Sequence, residues 1–360
     1  MKKIENKIIT ITFIMILFLI FLMNLIIKDS EISIVERRRL AQFPEITIEN
    51  LFNGDFIEKF EDYTVDQIPG RNLFRNIKSL WSINVLKQKD SNKIFEKDGA
   101  LYKMEYPLNE ANVKKNSEKI KKIYDKYLLG KNLYFSIIPD KNYYLKNDDH
   151  LLLDYKKIEQ IMKENLINFE YINIYDELKL EDYYRTDIHW KQENLIKVAN
   201  KISINMGQDE ISNINYEKEN VGKFYGTYYG QIAKKIEPDD MYILTNNTIK
   251  ESITYNYETK KENKVYDIKE SNDKYDIYLS GATPLITINN PKAKNNNELL
   301  IFRDSFGSSI APLLIENYKT ITLIDLRYIS SNILEEYIEF DNQDILFLYS
   351  SLILNQNVLK

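Results

Sequence analysis

The chain has 360 residues, with 49 Lys and Arg against 54 Asp and Glu for a net charge of −5, and it contains no cysteine. The basic residues are interspersed with acidic ones, so the clustered positive surface that holds a phosphate backbone is missing and no nucleic-acid partner is expected. The lack of thiols excludes disulfides, a cysteine nucleophile and thiolate metal sites, while the length admits one large domain or two smaller ones.

Residues 1–7 form a short charged tail, and residues 8–27 are apolar except for Thr10, Thr12 and Asn24. Twenty residues rising about 1.5 Å each reach about 30 Å, the thickness of a hydrocarbon core, so a single transmembrane anchor is predicted here. A cleaved signal peptide fits less well. The run is longer than such an apolar region, and it ends in Ile26-Ile27-Lys28-Asp29 with no small-residue cleavage site. Lys2, Lys3 and Lys7 precede the span while Lys28 and Arg37-Arg38-Arg39 follow it, so positive charge alone does not orient it. The brevity of the tail favours a cytoplasmic N-terminus, which makes the expectation a single-pass cell-membrane protein with its main domain extracytoplasmic.

Residues 28–90 read as a helical connector punctuated by Pro44, Gly54 and Pro69-Gly70. Within it, Phe52, Phe56, Phe60 and Tyr63 recur at i, i+4, i+8 and i+11, one face of a helix that serves as core or docking surface. From 91 to 360 the pattern alternates. Helices are predicted over 110–129, 155–166, 192–204, 308–317 and 331–339, and strands over 133–138, 171–175, 299–302, 320–324 and 344–349. This alternation predicts an α/β fold with a parallel, doubly wound sheet flanked by helices. Residues 206–297 break the rhythm: they are polar and rich in Asn, Lys and Tyr, with short strand-like pieces at 241–245 and 285–288, and are read as a β-rich insertion.

Two stretches carry the chemistry: Tyr183-Tyr184-Arg185-Thr186-Asp187-Ile188-His189-Trp190 and Leu299-Leu300-Ile301-Phe302-Arg303-Asp304-Ser305-Phe306. In a parallel sheet, functional groups gather at the carboxyl ends of strands, which is where Ser305 falls. A serine there has the following helix's N–H groups and dipole beside it to stabilise an oxyanion, and Gly307 would let a substrate approach the backbone. The same placement also suits a plain helix N-cap. His189 could take the serine proton, and Asp187, two residues earlier, would lie on the same side of an extended segment and orient the ring. His189 reads equally well as a turn histidine beside a half-buried Trp190. The other histidine, His150, sits in Asn147-Asp148-Asp149-His150 and is expected to be a solvated loop residue. A divalent cation on Asp187, His189 and Asp304 is the chemical rival. One histidine without cysteine makes a poor zinc shell, and nucleotide-binding glycine loops are absent, so neither metal nor cofactor is expected.

These motifs resemble the DHHW family, which is related to the alginate O-acetylation proteins and the wider SGNH hydrolase/acyltransferase superfamily. The resemblance extends to Glu36-Arg37-Arg38-Arg39-Leu40-Ala41-Gln42-Phe43-Pro44, Asn53-Gly54-Asp55-Phe56, Asp66-Gln67-Ile68-Pro69-Gly70-Arg71, Ile138-Pro139-Asp140-Lys141 and Ile324-Asp325-Leu326-Arg327-Tyr328. It implies an SGNH-like fold, a triad of Asp187, His189 and Ser305, and acyl transfer to, or acetyl removal from, an exported polysaccharide or cell-wall glycan. Tyr184, Trp190, Arg303 and Arg327 are the candidate substrate-binding residues. A transferase needs an acyl donor from across the membrane, so the resemblance also implies a multi-spanning membrane O-acyltransferase as partner. Two positions depart from the family pattern: its first histidine is Ile188 here, and an expected Gly-Asn pair reads Gly281-Ala282. A catalytically silent glycan-binding or scaffold subunit of an exopolysaccharide-modifying complex is the alternative, because a fold does not guarantee an activity.

Overall fold

The computed structural model describes residues 2–33, 36, 38–145, 150–232, 236–267, 271 and 273–360. Arg37 and Asn147-Asp148-Asp149 of the motifs above lie outside them. The chain divides into two compact units, one of residues up to 92 together with 229–235, the other of 93–228 and 236–360.

The first unit begins with a helix from Lys2 to Ile26, of which the 23 residues Ile4–Ile26 are long and apolar enough to cross a membrane, with none of that face buried by protein. The predicted aromatic stripe is split. Gly54 adopts a left-handed φ of 90° and separates helix Ile48–Asn53 from helix Asp55–Gln67. Phe52 therefore stands 89% exposed. Phe56, Phe60 and Tyr63 remain in phase on the second helix and each packs edge-on against Phe43 at 5.3–6.4 Å. The charged motif residues pair among themselves: Arg71 bridges Glu36 and Asp66, and Asp66 also accepts the Ala41 N–H at 2.8 Å.

The second unit is built on an eight-stranded sheet. Its strands are β1 (Leu133–Ile138), β2 (Glu170–Tyr171), β3 (Ile253–Asn256), β4 (Lys261–Lys264), β5 (Leu285–Asn289), β6 (Glu298–Arg303), β7 (Thr320–Ile324) and β8 (Asp344–Ser350), in the order β4-β3-β5-β7-β6-β8-β1-β2. The run β7-β6-β8-β1-β2 is parallel, whereas β3, β4 and β5 pair antiparallel along one edge. The sheet is thus mixed, not wholly parallel as expected. The antiparallel strands all come from 206–297, so part of the predicted insertion extends the central sheet. The strand Asp239–Thr245 instead pairs with Glu217–Phe224 as a separate hairpin.

The strands in the middle of the parallel run are buried on both faces and read as continuous apolar runs. Leu299, Ile301 and Phe302 of β6 are completely buried, and Phe302 stacks on its register partner Phe347 of β8 at 4.3 Å. Four principal helices accompany the sheet: α1 (Glu110–Tyr127), α2 (Tyr155–Asn165), α3 (Ile196–Asn205) and α4 (Ser305–Leu314). Several boundaries shift for local reasons. The strand predicted at 171–175 stops at Tyr171, because the Asn173 side chain accepts the Tyr175 N–H and turns the chain into a 3-10 turn. Residues 192–194 form a 3-10 turn ahead of α3, and residues 331–336 are 3-10 instead of α-helical.

Helix α4 begins three residues earlier than its apolar pattern predicts, because Asp304 caps it. One Asp304 carboxylate oxygen accepts the Phe306 N–H at 3.0 Å and the other accepts the Ser350 N–H at 2.8 Å, which ties the carboxyl ends of β6 and β8 together. Asp304→Ala leaves both buried amides without partners and is expected to cost about 2–4 kcal/mol in chemical denaturation. A loss below about 0.5 kcal/mol would show that the junction does not depend on this carboxylate.

Candidate functional site

Ser305 is the first residue of α4, directly beyond the carboxyl end of β6, and is partly exposed between buried neighbours. His189 lies on a narrow loop. Tyr183 and Trp190 form an antiparallel bridge at its base, and the Tyr184 N–H donates to the His189 carbonyl at 3.0 Å. Residues 185–188 are therefore held at the tip.

The His189 ring lies between the two other polar groups. Its Nδ1 is 2.5 Å from Asp187 Oδ1 and its Nε2 is 2.7 Å from Ser305 Oγ. Asp187 is completely buried, and His189 is 6% exposed. An ionised carboxylate can only accept hydrogen bonds, so Asp187 assigns the proton to Nδ1 and leaves the Nε2 lone pair facing the serine hydroxyl. The carboxylate itself cannot swing away. Oδ1 also accepts the His189 N–H at 3.0 Å, and Oδ2 accepts the Thr227 N–H at 2.6 Å.

The loop beneath is fully engaged. A buried Asp239 accepts the Arg185 N–H, the Thr186 N–H and the Thr186 hydroxyl at 2.8–3.0 Å. Gly226 donates to Thr186 Oγ1 at 3.0 Å, and a Cβ on it would lie 2.3 Å from Asp187 Cβ and 2.4 Å from the Thr186 carbonyl oxygen, so only glycine fits. Behind the ring, Tyr275 stacks on His189 with centroids 3.8 Å apart and planes 12° from parallel. Ser309 Oγ holds this packing together: it accepts from Tyr275 O–H at 2.9 Å and from Trp190 Nε1–H at 2.8 Å, and donates to the Phe306 carbonyl.

The sequence-predicted residues divide into two groups. Asp187, His189 and Ser305 come together. Three of the four candidate substrate-binding residues are completely buried and do not face solvent. Tyr184 is completely buried and packs edge-on against Phe224 at 4.8 Å. Trp190 is completely buried and spends its N–H on Ser309. Arg303 is completely buried and reaches the Thr283 hydroxyl at 3.3 Å and Asp325 at 3.5 Å; burial lowers its pKa and the Asp325 carboxylate opposes that shift. Arg327 remains partly exposed, gripped by Asp325 at 2.9 and 2.6 Å. Gly307 is buried too: a Cβ there would meet the Arg303 side chain at 2.6 Å, so the close approach it permits is to Arg303 and not to a substrate. His150 is not a solvated loop residue but is half-buried, its ring stacked on Phe95 at 3.6 Å. Asp304, the third member of the rival cation site, has both oxygens committed to backbone amides.

Sequence reasoning missed Thr227, Asp239, Tyr275 and Ser309. The first three lie in the polar stretch 206–297, where no periodicity marks them, and Ser309 looks like any helix residue.

Residues 147–324 match the family model described as DHHW protein. No curated protein sequence matches the chain. Among solved structures, a DHHW family protein from Eubacterium siraeum superimposes on 75% of this chain and 97% of its own, with 19% identity and a TM-score of 0.60. Bacillus cereus PatB1, solved with a sulfonyl adduct, covers 74% and 96%, with 18% identity and a TM-score of 0.57. The O-acetyltransferase domain of Pseudomonas putida AlgJ covers 72% and 91%, with 10% identity and a TM-score of 0.46. Over residues 147–324 this chain is similar to the DHHW protein family, and it shares a mixed α/β fold with the Eubacterium siraeum and PatB1 structures.

Proposed function

We propose that the chain is a membrane-anchored, extracytoplasmic O-acetyltransferase or acetylesterase that acts on an exported polysaccharide or cell-wall glycan through an acyl-enzyme on Ser305. The observation that carries this reading is the unbroken hydrogen-bonded line Asp187–His189–Ser305, with separations of 2.5 and 2.7 Å. A serine hydroxyl attacks an acyl carbonyl only if a base removes its proton, and His189 Nε2 is within reach to do so. Asp187 holds the tautomer and stabilises the imidazolium that forms. Negative charge on the tetrahedral intermediate develops at the N-terminal end of α4, where the helix dipole is favourable, although Asp304 already holds the Phe306 and Gly307 N–H groups. His189 then returns the proton to the leaving group, and the acyl group passes to a sugar hydroxyl or to water.

Three supports add to the geometry. The DHHW resemblance brings with it the acetyl chemistry of its relatives. The PatB1 neighbour bears a sulfonyl adduct, and sulfonyl groups are captured by nucleophiles. The apolar helix Ile4–Ile26 is suited to anchor the chain in the membrane, and a multi-spanning O-acyltransferase would supply the acyl donor. Arg327, 19% exposed and held by Asp325, is the remaining candidate for substrate contact.

The full chain in detergent should release acetate from p-nitrophenyl acetate, and Ser305→Ala should reduce kcat by at least about 1,000-fold, with Asp187→Asn losing about 10²–10⁴-fold. Equal rates in wild type and Ser305→Ala would defeat the triad reading. Adding a chito-oligosaccharide acceptor separates the two activities, since only a transferase yields acetylated oligosaccharide by mass spectrometry. Gly226→Ala, which pushes on the Asp187 backbone, is expected to lower kcat about 10–100-fold while KM stays within a few-fold; unchanged kcat would mean that the loop absorbs the methyl group without moving Asp187. Orientation can be read because the native chain has no cysteine. In intact cells a membrane-impermeant maleimide should label Asn296→Cys and spare Asn6→Cys, and the reverse pattern would place the main unit in the cytoplasm.

A further inference from the structure

Lys141 lies three residues past the carboxyl end of β1 and is 3% exposed, an unusual place for an ammonium group. Its Nζ donates to three backbone carbonyls of a single loop: Tyr184 at 2.9 Å, Arg185 at 3.2 Å and Asp187 at 2.8 Å. The Thr186 carbonyl, the one left over in that run, accepts the Tyr228 N–H at 3.1 Å. Rings of Tyr102 and Tyr228 flank the ammonium, each at 5.1 Å. The loop that presents Asp187 is therefore gripped from both sides, its amides by the Asp239 carboxylate and its carbonyls by the Lys141 ammonium.

We infer that Lys141 is a positioning residue for the Asp187–His189 pair, and that only its protonated form, with three N–H donors, holds the loop in the geometry that places His189 against Ser305. The inference rests on the triad reading for its catalytic consequence, though not for its structural one. Three N–H groups on one nitrogen can satisfy three converging carbonyls; a neutral amine has two N–H groups and turns a lone pair towards the third. No uncharged side chain offers three donors from a single atom. The Arg185 carbonyl would keep the Leu101 N–H at 2.7 Å, but a lone pair turned towards it repels it and the bonds to Tyr184 and Asp187 lose their charge, so the grip slackens and Asp187 moves with the loop.

The charged groups around Lys141 bear on when this happens. Burial lowers its pKa from the usual lysine value to about 7, while the carboxylates of Asp187, Asp239 and Asp140 oppose the fall and Lys191 reinforces it. The positioned state is thus favoured on the acid side of neutrality and lost as pH rises through the value at which Lys141 gives up its proton.

The test follows the His189 Nδ1 proton, which a short bond to a carboxylate moves far downfield in the proton NMR spectrum of the full chain in detergent micelles. The chain has only two histidines, so His150→Gln assigns the signal. In wild type, the resonance and kcat for p-nitrophenyl acetate should fall together on the alkaline side, as pH rises from about 7 to 9. In Lys141→Met the resonance should be missing throughout that range, and kcat should drop roughly 10–100-fold with KM nearly unchanged. In Lys141→Arg, whose guanidinium does not titrate, the alkaline fall should move up by more than about one pH unit. A Lys141→Met protein that keeps both resonance and wild-type kcat overturns the inference, as does a wild-type resonance unaltered to pH 9. Should Lys141→Met fail to fold, Lys141→Arg decides: an alkaline fall at the same pH as in wild type would assign the loss to another group and overturn the inference. Full activity in Ser305→Ala would sink the triad reading separately, because the resonance reports Lys141's hold on the loop without any need for turnover.

Discussion

An irregular loop buried inside a protein must find a partner for every amide and carbonyl, and residues 184–187 meet that demand from several directions at once. Asp239 takes the amides of Arg185 and Thr186, Lys141 takes three carbonyls, Tyr228 takes the fourth, and Gly226 allows the neighbouring chain to lie directly against Asp187. The carboxylate of Asp187 can be held to hydrogen-bond precision only because its backbone has no freedom left. The alignment of Asp187, His189 and Ser305 is thus a consequence of backbone satisfaction as well as of the three side chains themselves.

The sheet supplies the other half of the site. Strands β6 and β8 are paired in parallel and buried on both faces, and Asp304 joins their carboxyl ends while starting α4. Ser305 then leaves the sheet on a helix whose next nine residues are all buried, so its position follows from core packing. Trp190, Phe306, Ser309 and Tyr275 fill the space between this helix and the His189 loop. The imidazole is thereby pressed between an aromatic face and the serine, which limits its rotation without a hydrogen bond.

Much of the fold was legible in the sequence, and the failures have identifiable causes. Strands 133–138 and 320–324 stand where the sequence predicts them, because both are short, β-prone runs that end up almost wholly buried. Helix α4 was misplaced by three residues because apolar periodicity does not register a cap, and the single helix expected through Phe52 was two, because Gly54 takes a left-handed conformation. The antiparallel edge was missed for a deeper reason. Strands of four or five residues separated by polar loops carry no record of which neighbour they pair with.

The sequence by itself determined the apolar N-terminal helix, the α/β rhythm and the order Asp187, His189, Ser305, since each rests on local spacing or on the chemistry of a residue type. Only the tertiary structure decided that Tyr184, Trp190 and Arg303 are interior supports, that Tyr275 stacks on His189, and that Lys141 and Asp239 clamp the loop between them. Burial and long-range hydrogen bonds depend on which distant segments the sheet brings together. A tyrosine or lysine in a polar stretch looks the same in sequence whether it ends in water or beneath the His189 loop.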